Sequence, residues 1–387
     1  MPRSWLRWAT SGALLLALVL GLWLPTVSRG AGGHIQPAVK LRYLVVPNTK
    51  SFGGPVLVGS QMAYVNEAPT GGQRTWSIYA GNINHWKPRF VTGSGLGRFQ
   101  GCVYDLQMSR RWMAWEGIGC RGQGPGTYWY LLARDRWTGR VYLVDSSVRD
   151  KSPQPAWVGS PIALWGNSVA WTYNTCIARC RALRPVVRHV LAFERLSSGK
   201  RQIIDNSSSC WAYSPSLAKS KLVYTEMCSG RKSTSEIVMR NLATGRASVL
   251  SHSGGTPVTN GSKVAWIVDN SSHPRVALLD LATGRRQIVS RPCHVTVGYQ
   301  CHPQGRSGNA GPWPALTISP RTLVWAGTDD SSAGAYVIAR DLATGKEYRL
   351  PDDIGTDGRF SDASPSNTVV WPLPNAYRFG IGLATIP

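Results

Sequence analysis

Apolar and polar residues alternate along this chain in short runs of period two, and one pattern recurs through them: a large apolar residue, a small one, then an aromatic. It stands at Met62-Ala63-Tyr64, Met113-Ala114-Trp115, Val169-Ala170-Trp171, Leu222-Val223-Tyr224, Val264-Ala265-Trp266, Leu323-Val324-Trp325 and Val369-Val370-Trp371. In a strand the first and third residues share one face and the second points the other way. The large pair therefore packs on one neighbour, while Ala or Val lets the other neighbour approach. The aromatic returns at intervals of 51, 56, 53, 42, 59 and 46 residues, the span of four short strands plus loops of varying length.

A second marker follows five of the triplets: Thr138-Gly139-Arg140, Ser198-Gly199-Lys200, Thr244-Gly245-Arg246, Thr283-Gly284-Arg285 and Thr344-Gly345-Lys346. Glycine there supplies the positive φ of a tight hairpin, and Asp135, Asn241, Asp280 and Asp341 can accept hydrogen bonds from the turn they precede. With strands lettered A to D outward from the centre, the triplet marks strand B and the Thr-Gly turn joins C to D. Six units complete themselves in this way. The seventh has an A strand near Phe360 to Ala363 and a C strand near Tyr377 to Ile381, and it lacks a fourth strand that Leu41 to Val46 can supply. The prediction is an all-β, seven-bladed β-propeller closed by pairing its N- and C-terminal strands, which abolishes exposed edges. A six-bladed ring with a C-terminal appendage is the alternative. The Trp residues of the triplets read as core between blades.

The segments Ser214-Pro215-Ser216 to Tyr224, Ser319-Pro320 to Trp325 and Ser364-Pro365 to Trp371 resemble the Ser-Pro-centred repeat of TolB-type propellers. They are similar also to the propeller domains of prolyl-oligopeptidase relatives. The resemblance covers residues 41–387 and implies the fold. It implies no activity: the usual Asp-Gly after Ser-Pro is absent, and no G-x-S-x-G elbow of a hydrolase domain accompanies the repeat.

Composition adds a compartment. Arg3 and Arg7 precede an uncharged stretch whose apolar centre, Ala13 to Leu24, has the length of a signal-peptide core. Residues 1–30 are read as a signal peptide, with an uncleaved signal anchor as the alternative, residues 31–40 as a linker and 41–387 as the propeller. The eight cysteines fall into local pairs, Cys102 with Cys120, Cys176 with Cys180, Cys210 with Cys228 and Cys293 with Cys301, and export favours disulfides. Zinc held by Cys293-His294 and Cys301-His302 is the competing reading of the last pair, and no metal site or cofactor is expected. The formal charge of +23 falls to +20 once the three Arg of residues 1–30 are removed, a surface suited to anionic partners.

Propeller topology sends A–B and C–D turns to one end of the blades and the B–C and D–A connections to the other. The long segments, 117–127, 145–158, 174–186 and 290–313, all fall at the second end, which is thereby the expected binding surface. Basic residues concentrate there in blades 3 and 4: Arg179, Arg181 and Arg184 with Arg188, then Arg231 and Lys232. Guanidinium forks suit carboxylate, sulfate or phosphate. Tyr128, Trp129, Trp157, Tyr299 and Trp313 could stack on sugars, with packing at strand ends as the competing role. None of His85, His189, His252, His273, His294 and His302 sits in a catalytic motif, and the pairs Asp329-Asp330 and Asp352-Asp353 read as solvated turns. The expectation is a secreted or cell-envelope, monomeric binding or scaffold propeller that recognises an anionic glycan, a wall polymer or a protein partner, with no nucleic acid and with membrane contact only through an uncleaved leader. A polysaccharide lyase or hydrolase with its site at the central channel, and a TolB-like envelope assembly partner, are the alternatives.

Overall fold

The computed structural model describes residues 40–46, 51–70, 73–93, 102–118, 129–147, 162–178, 186–229, 234–268, 275–290, 316–328, 335–350, 361–362, 368–375 and 378–386. These form seven four-stranded antiparallel sheets arranged as a seven-bladed propeller, with no helix among the described residues. Each innermost strand touches those of the blades before and after it, and the last of them, Ser361–Asp362, returns to the first, Ser51–Val58. The ring is closed.

Every triplet lies in strand B. In blades 1 to 7 that strand is Gln61–Thr70, Trp112–Ile118, Ser168–Ala178, Lys221–Cys228, Lys263–Val268, Thr322–Thr328 and Thr368–Asn375. The packing follows the alternation. Met113 and Trp115 press on Ala63 of the preceding blade, Val169 and Trp171 on Ala114, Leu222 and Tyr224 on Ala170, Val264 and Trp266 on Val223, and Leu323 and Trp325 on Ala265. Met62 and Tyr64 meet Val370 of blade 7 in the same way, across the closure. Trp115, Trp171 and Trp266 are at most 1 % exposed, so each contributes one of the larger hydrophobic terms available to a side chain, about 3 kcal/mol.

Blade 7 is completed as the alternation requires. Its order from the centre is Ser361–Asp362, Thr368–Asn375, Arg378–Thr385 and then Lys40–Val45, with Lys40 opposite Thr385 and Val45 opposite Gly380. The six-bladed alternative does not hold. Strand C runs past the expected Ile381 because Leu383 continues its buried face.

The C–D turns share one construction. Asp135, Asn241, Asp280 and Asp341 each accept from the amides two and three residues on, and Gly139, Gly245, Gly284 and Gly345 close the turn at φ of 75°, 73°, 70° and 74°. In each case the residue after the Asp or Asn donates its amide to a carbonyl of the same blade's A–B turn: Arg136 to Arg111, Leu242 to Ser220, Leu281 to Ser262 and Leu342 to Arg321. The two turns of a blade therefore form one rigid unit at this end.

Candidate functional site

At the other end the chain makes its long crossings. Arg179, Arg181 and Arg184 belong to the segment between Ser168–Ala178 and Val186–Arg195, and Arg231 and Lys232 to the segment between Lys221–Cys228 and Thr234–Asn241. All five lie outside the described residues. Their anchoring strands belong to neighbouring blades 3 and 4 and end at the same side of the ring. Of the aromatics expected at this end, Trp129 is core, 1 % exposed with its ring 5.8 Å from that of Tyr173. Tyr128, Trp157, Tyr299 and Trp313 lie outside the described residues, as do Asp329-Asp330, Asp352-Asp353 and the leader.

Cys210 and Cys228 stand opposite each other in the A–B ladder of blade 4 and form a disulfide. Each of the other three cysteine pairs includes residues outside the described set. Cys102 opens strand A of blade 2 opposite Ile118.

Blades 3 and 4 also share a set of titratable groups that no local motif reveals. Glu226 in strand B and Glu236 in strand C of blade 4 face each other directly in the ladder. Burial pushes the Glu226 carboxyl above its ordinary range, and the negative charges of Asp205, from the outer strand of blade 3, and of Glu236 push it further. Glu236 is in turn bonded to Nδ1 of the exposed His252 at 2.7 Å. His189, hydrogen-bonded to Asn174 at 2.6 Å with its ring 5.3 Å from Trp211, is held below the usual imidazole range by burial, which Asp205 partly opposes. These residues come from neighbouring blades 3 and 4: His189 and Asp205 from blade 3, Glu226 and Glu236 from blade 4. Among the described residues no three His, Cys, Asp or Glu are grouped so as to hold a metal ion.

A second polar cluster is structural. Asp145 accepts from Nε1 of Trp171 at 2.8 Å and from Arg201 at 3.0 Å, and the Arg201 guanidinium lies over the rings of Trp171 and Tyr173. Burial raises the Asp145 carboxyl, and the Arg201 charge and these hydrogen bonds offset that only in part. Its fully enclosed position pins the outer strands of blades 2 and 3 together.

An open cleft lies at the tight-turn end, between blades 2 and 3. It has a volume of about 400 Å³ and is lined by Arg110, Arg111, Trp137, Gly166 and Asn167. Trp137 is 69 % exposed. The Arg111 guanidinium sits between two indoles, 5.1 Å from the Trp137 ring centre and 5.5 Å from that of Trp112, and donates through Nε and Nη2 to Asp135 at 3.0 and 2.8 Å. Burial pushes the Asp135 carboxyl up, but the Arg111 bonds and the Trp137 and Thr138 amides outweigh it, so the group titrates below its ordinary value. Arg136 donates Nη1 to the carbonyls of Ser109 and Arg110, which fixes the loop carrying Arg110. Trp112 donates Nε1 to Asn167 at 3.0 Å and Ser109 donates to the Gly166 carbonyl at 2.8 Å, locking the two blades across the cleft floor. Sequence reasoning placed the binding surface at the long-loop end by loop length and passed over this cleft. Its signal was present in the turn of blade 2, which reads Arg136-Trp137 where blades 4, 5 and 6 read Leu-Ala.

No protein-family model matches the chain, and no curated protein matches it in sequence. Solved structures share its fold. A prolyl endopeptidase aligns with a TM-score of 0.56 at 13 % identity over 86 % of this chain and 46 % of its own length. Oligogalacturonate lyase from Vibrio parahaemolyticus aligns at 0.54 and 10 % identity over 90 % of this chain and 97 % of its own. TolB from Acinetobacter baumannii aligns at 0.46 and 14 % identity over 84 % and 80 %. At such identities the likeness is one of fold, and the prolyl endopeptidase alignment agrees with the propeller resemblance that the Ser-Pro repeat carries.

Proposed function

We propose that the protein is an extracytoplasmic, non-catalytic binding propeller that holds an anionic glycan or wall polymer at its long-connection end. Proteins sharing the fold include binding proteins and enzymes, so the architecture leaves both roles open and the choice rests on the site. The observation that carries the reading is topological. Five basic residues, Arg179, Arg181, Arg184, Arg231 and Lys232, ride on B–C connections of two adjacent blades that emerge at one side of the ring. A chain of formal charge +23 with only 20 acidic residues supplies the long-range attraction. The Cys210–Cys228 disulfide supports an oxidising compartment outside the cytoplasm.

The test is retention of the leader-free protein on an immobilised acidic polysaccharide at low salt, scored together with release of soluble products. Reversing charge at Arg181 and Arg184 should lower the affinity by about tenfold or more, the scale of lost charge-assisted contacts. Unchanged retention would remove the arginine connections from the reading, and released oligosaccharide would replace it with a polysaccharide-active enzyme.

A further inference from the structure

The blades repeat, so each serves as a control for the others, and the C–D turn of blade 2 departs from its siblings in a way folding does not require. Its backbone is theirs: Asp135 accepts the two amides and Gly139 closes the turn, as in blades 4, 5 and 6. Ala243, Ala282 and Ala343 occupy the place that Trp137 holds here, and Ser197 the matching place in blade 3. An alanine therefore satisfies the geometry, and the indole leaves most of its surface in water, which is unfavourable for a group of that size. The preceding position is Leu196, Leu242, Leu281 or Leu342 elsewhere and Arg136 here, where it clamps the Ser109 and Arg110 carbonyls. Two adjacent departures serve one spot.

That spot has the parts of a carbohydrate subsite. The indole presents a flat apolar face, rigid because the guanidinium of Arg111 is held against it by Asp135. Arg110 is exposed, and among the described residues its side chain has no hydrogen bond or ion pair. Asn167 uses Oδ1 to accept from Trp112, which leaves its Nδ2 hydrogens for a ligand. Gly166, at φ of 57° with open space where a Cβ would stand, keeps the floor clear. The A–B and C–D turns of this blade carry Arg110, Arg111, Arg136 and Arg140 against one acidic residue, Asp135, which is paired with Arg111. We infer that this cleft is a second binding site, distinct from the long-connection end, that takes one anionic pyranose unit of an acidic glycan: the ring's C–H face on Trp137, its carboxylate or sulfate on Arg110, and a hydroxyl on Asn167. The volume of about 400 Å³ suits one or two sugar rings and falls in the range of small-ligand sites. A single-stranded nucleic acid would also stack on an indole, but it calls for a continuous cationic groove with successive aromatics, and this cleft offers one ring.

The experiment is calorimetric titration of the leader-free full chain with a short hexuronate oligosaccharide at low salt, with indole fluorescence recorded in parallel. Trp137→Ala and Arg110→Glu should each weaken binding by about tenfold, Trp137→Phe should recover most of it, and the fluorescence change should vanish in Trp137→Ala. A sulfated oligosaccharide without uronate should bind at the same place, whereas an uncharged one should bind about tenfold more weakly. Both substituted side chains are exposed, so thermal unfolding should be unchanged, and the Arg181→Glu/Arg184→Glu variant should keep the Trp137-dependent component. Three results would each overturn the inference: no saturable binding by the wild type, binding indifferent to Trp137 and Arg110, or Trp137-dependent binding of single-stranded DNA at least as tight as that of the sugar. Loss in the Arg181/Arg184 variant alone would count for the long-connection site and against this one.

Discussion

The two ends of the blades were built from the same repeat and have diverged to opposite degrees. At the tight-turn end one hydrogen-bond scheme appears four times, with the Asp or Asn caps, the left-handed glycines and the clasp onto the A–B turn in register. At the other end the connections share neither length nor composition, and blade 4 carries a disulfide between its first two strands. Variation at an unconstrained end is the ordinary behaviour of loops and says little by itself. A departure inside a constrained end says more, which is why Trp137 is informative and a solitary loop aromatic is not.

The comparison can be broken most severely between the ends, in the layer where blades meet. Trp171→Ala should cost about 3–5 kcal/mol in denaturant unfolding, because it opens a cavity and removes a donor from the enclosed Asp145. A loss below about 1 kcal/mol would mean that the blades are held chiefly by their ends. Next, at the variable end, replacing Cys210 and Cys228 by Ala should lower stability by about 2–4 kcal/mol for a closed loop of this size. A negligible effect would show that the ladder alone suffices there.

At the repetitive end the effects should be smaller and equal. Gly245→Ala and Gly284→Ala each place a side chain at φ near 70° with open space around it, so the cost is backbone strain of about 1 kcal/mol in both. Unequal values would show that the turns are alike only in outline.

The smallest effects distinguish the ends by sign. Lys263, then the amides of Thr283 and Ala282, hold Asp280 at about 2, against an ordinary 3.8. Its contribution is present above the ordinary value and disappears as pH falls toward 2, so Asp280→Asn should lower the melting temperature at neutral pH and converge with wild type in acid. Glu226 titrates above its ordinary 4.5, so its stabilising influence belongs to low pH and is lost as pH rises through the shifted value. Glu226→Gln should therefore raise the melting temperature at pH 7 and lose that advantage on acidification.

Fold was legible because it is periodic. The triplet fixed strand B, the Thr-Gly turn fixed C and D, and Leu41 to Val46 was identifiable as the missing partner of blade 7, one residue away from the observed Lys40–Val45. The site was legible only in part. Glu226 and Glu236 meet through ladder register, and Asp205 joins them across a blade boundary, distances that no spacing rule encodes. Arg110 and Trp137 are brought together by the clasp between two turns of one blade. The break in the Leu-Ala-Thr-Gly repeat marked the place, while loop length drew attention to the other end.

The pairing of Lys40–Val45 with Arg378–Thr385 also sets a timetable. Six blades are local in sequence and can form as the chain emerges, but the seventh joins residues about 340 positions apart and must wait until residue 385 is available. Until then Lys40–Val45 is without its partner and able to pair with a strand of another molecule. Closure is thus the slow, concentration-sensitive step of assembly, and a peptide of residues 40–46 added during refolding should compete for it.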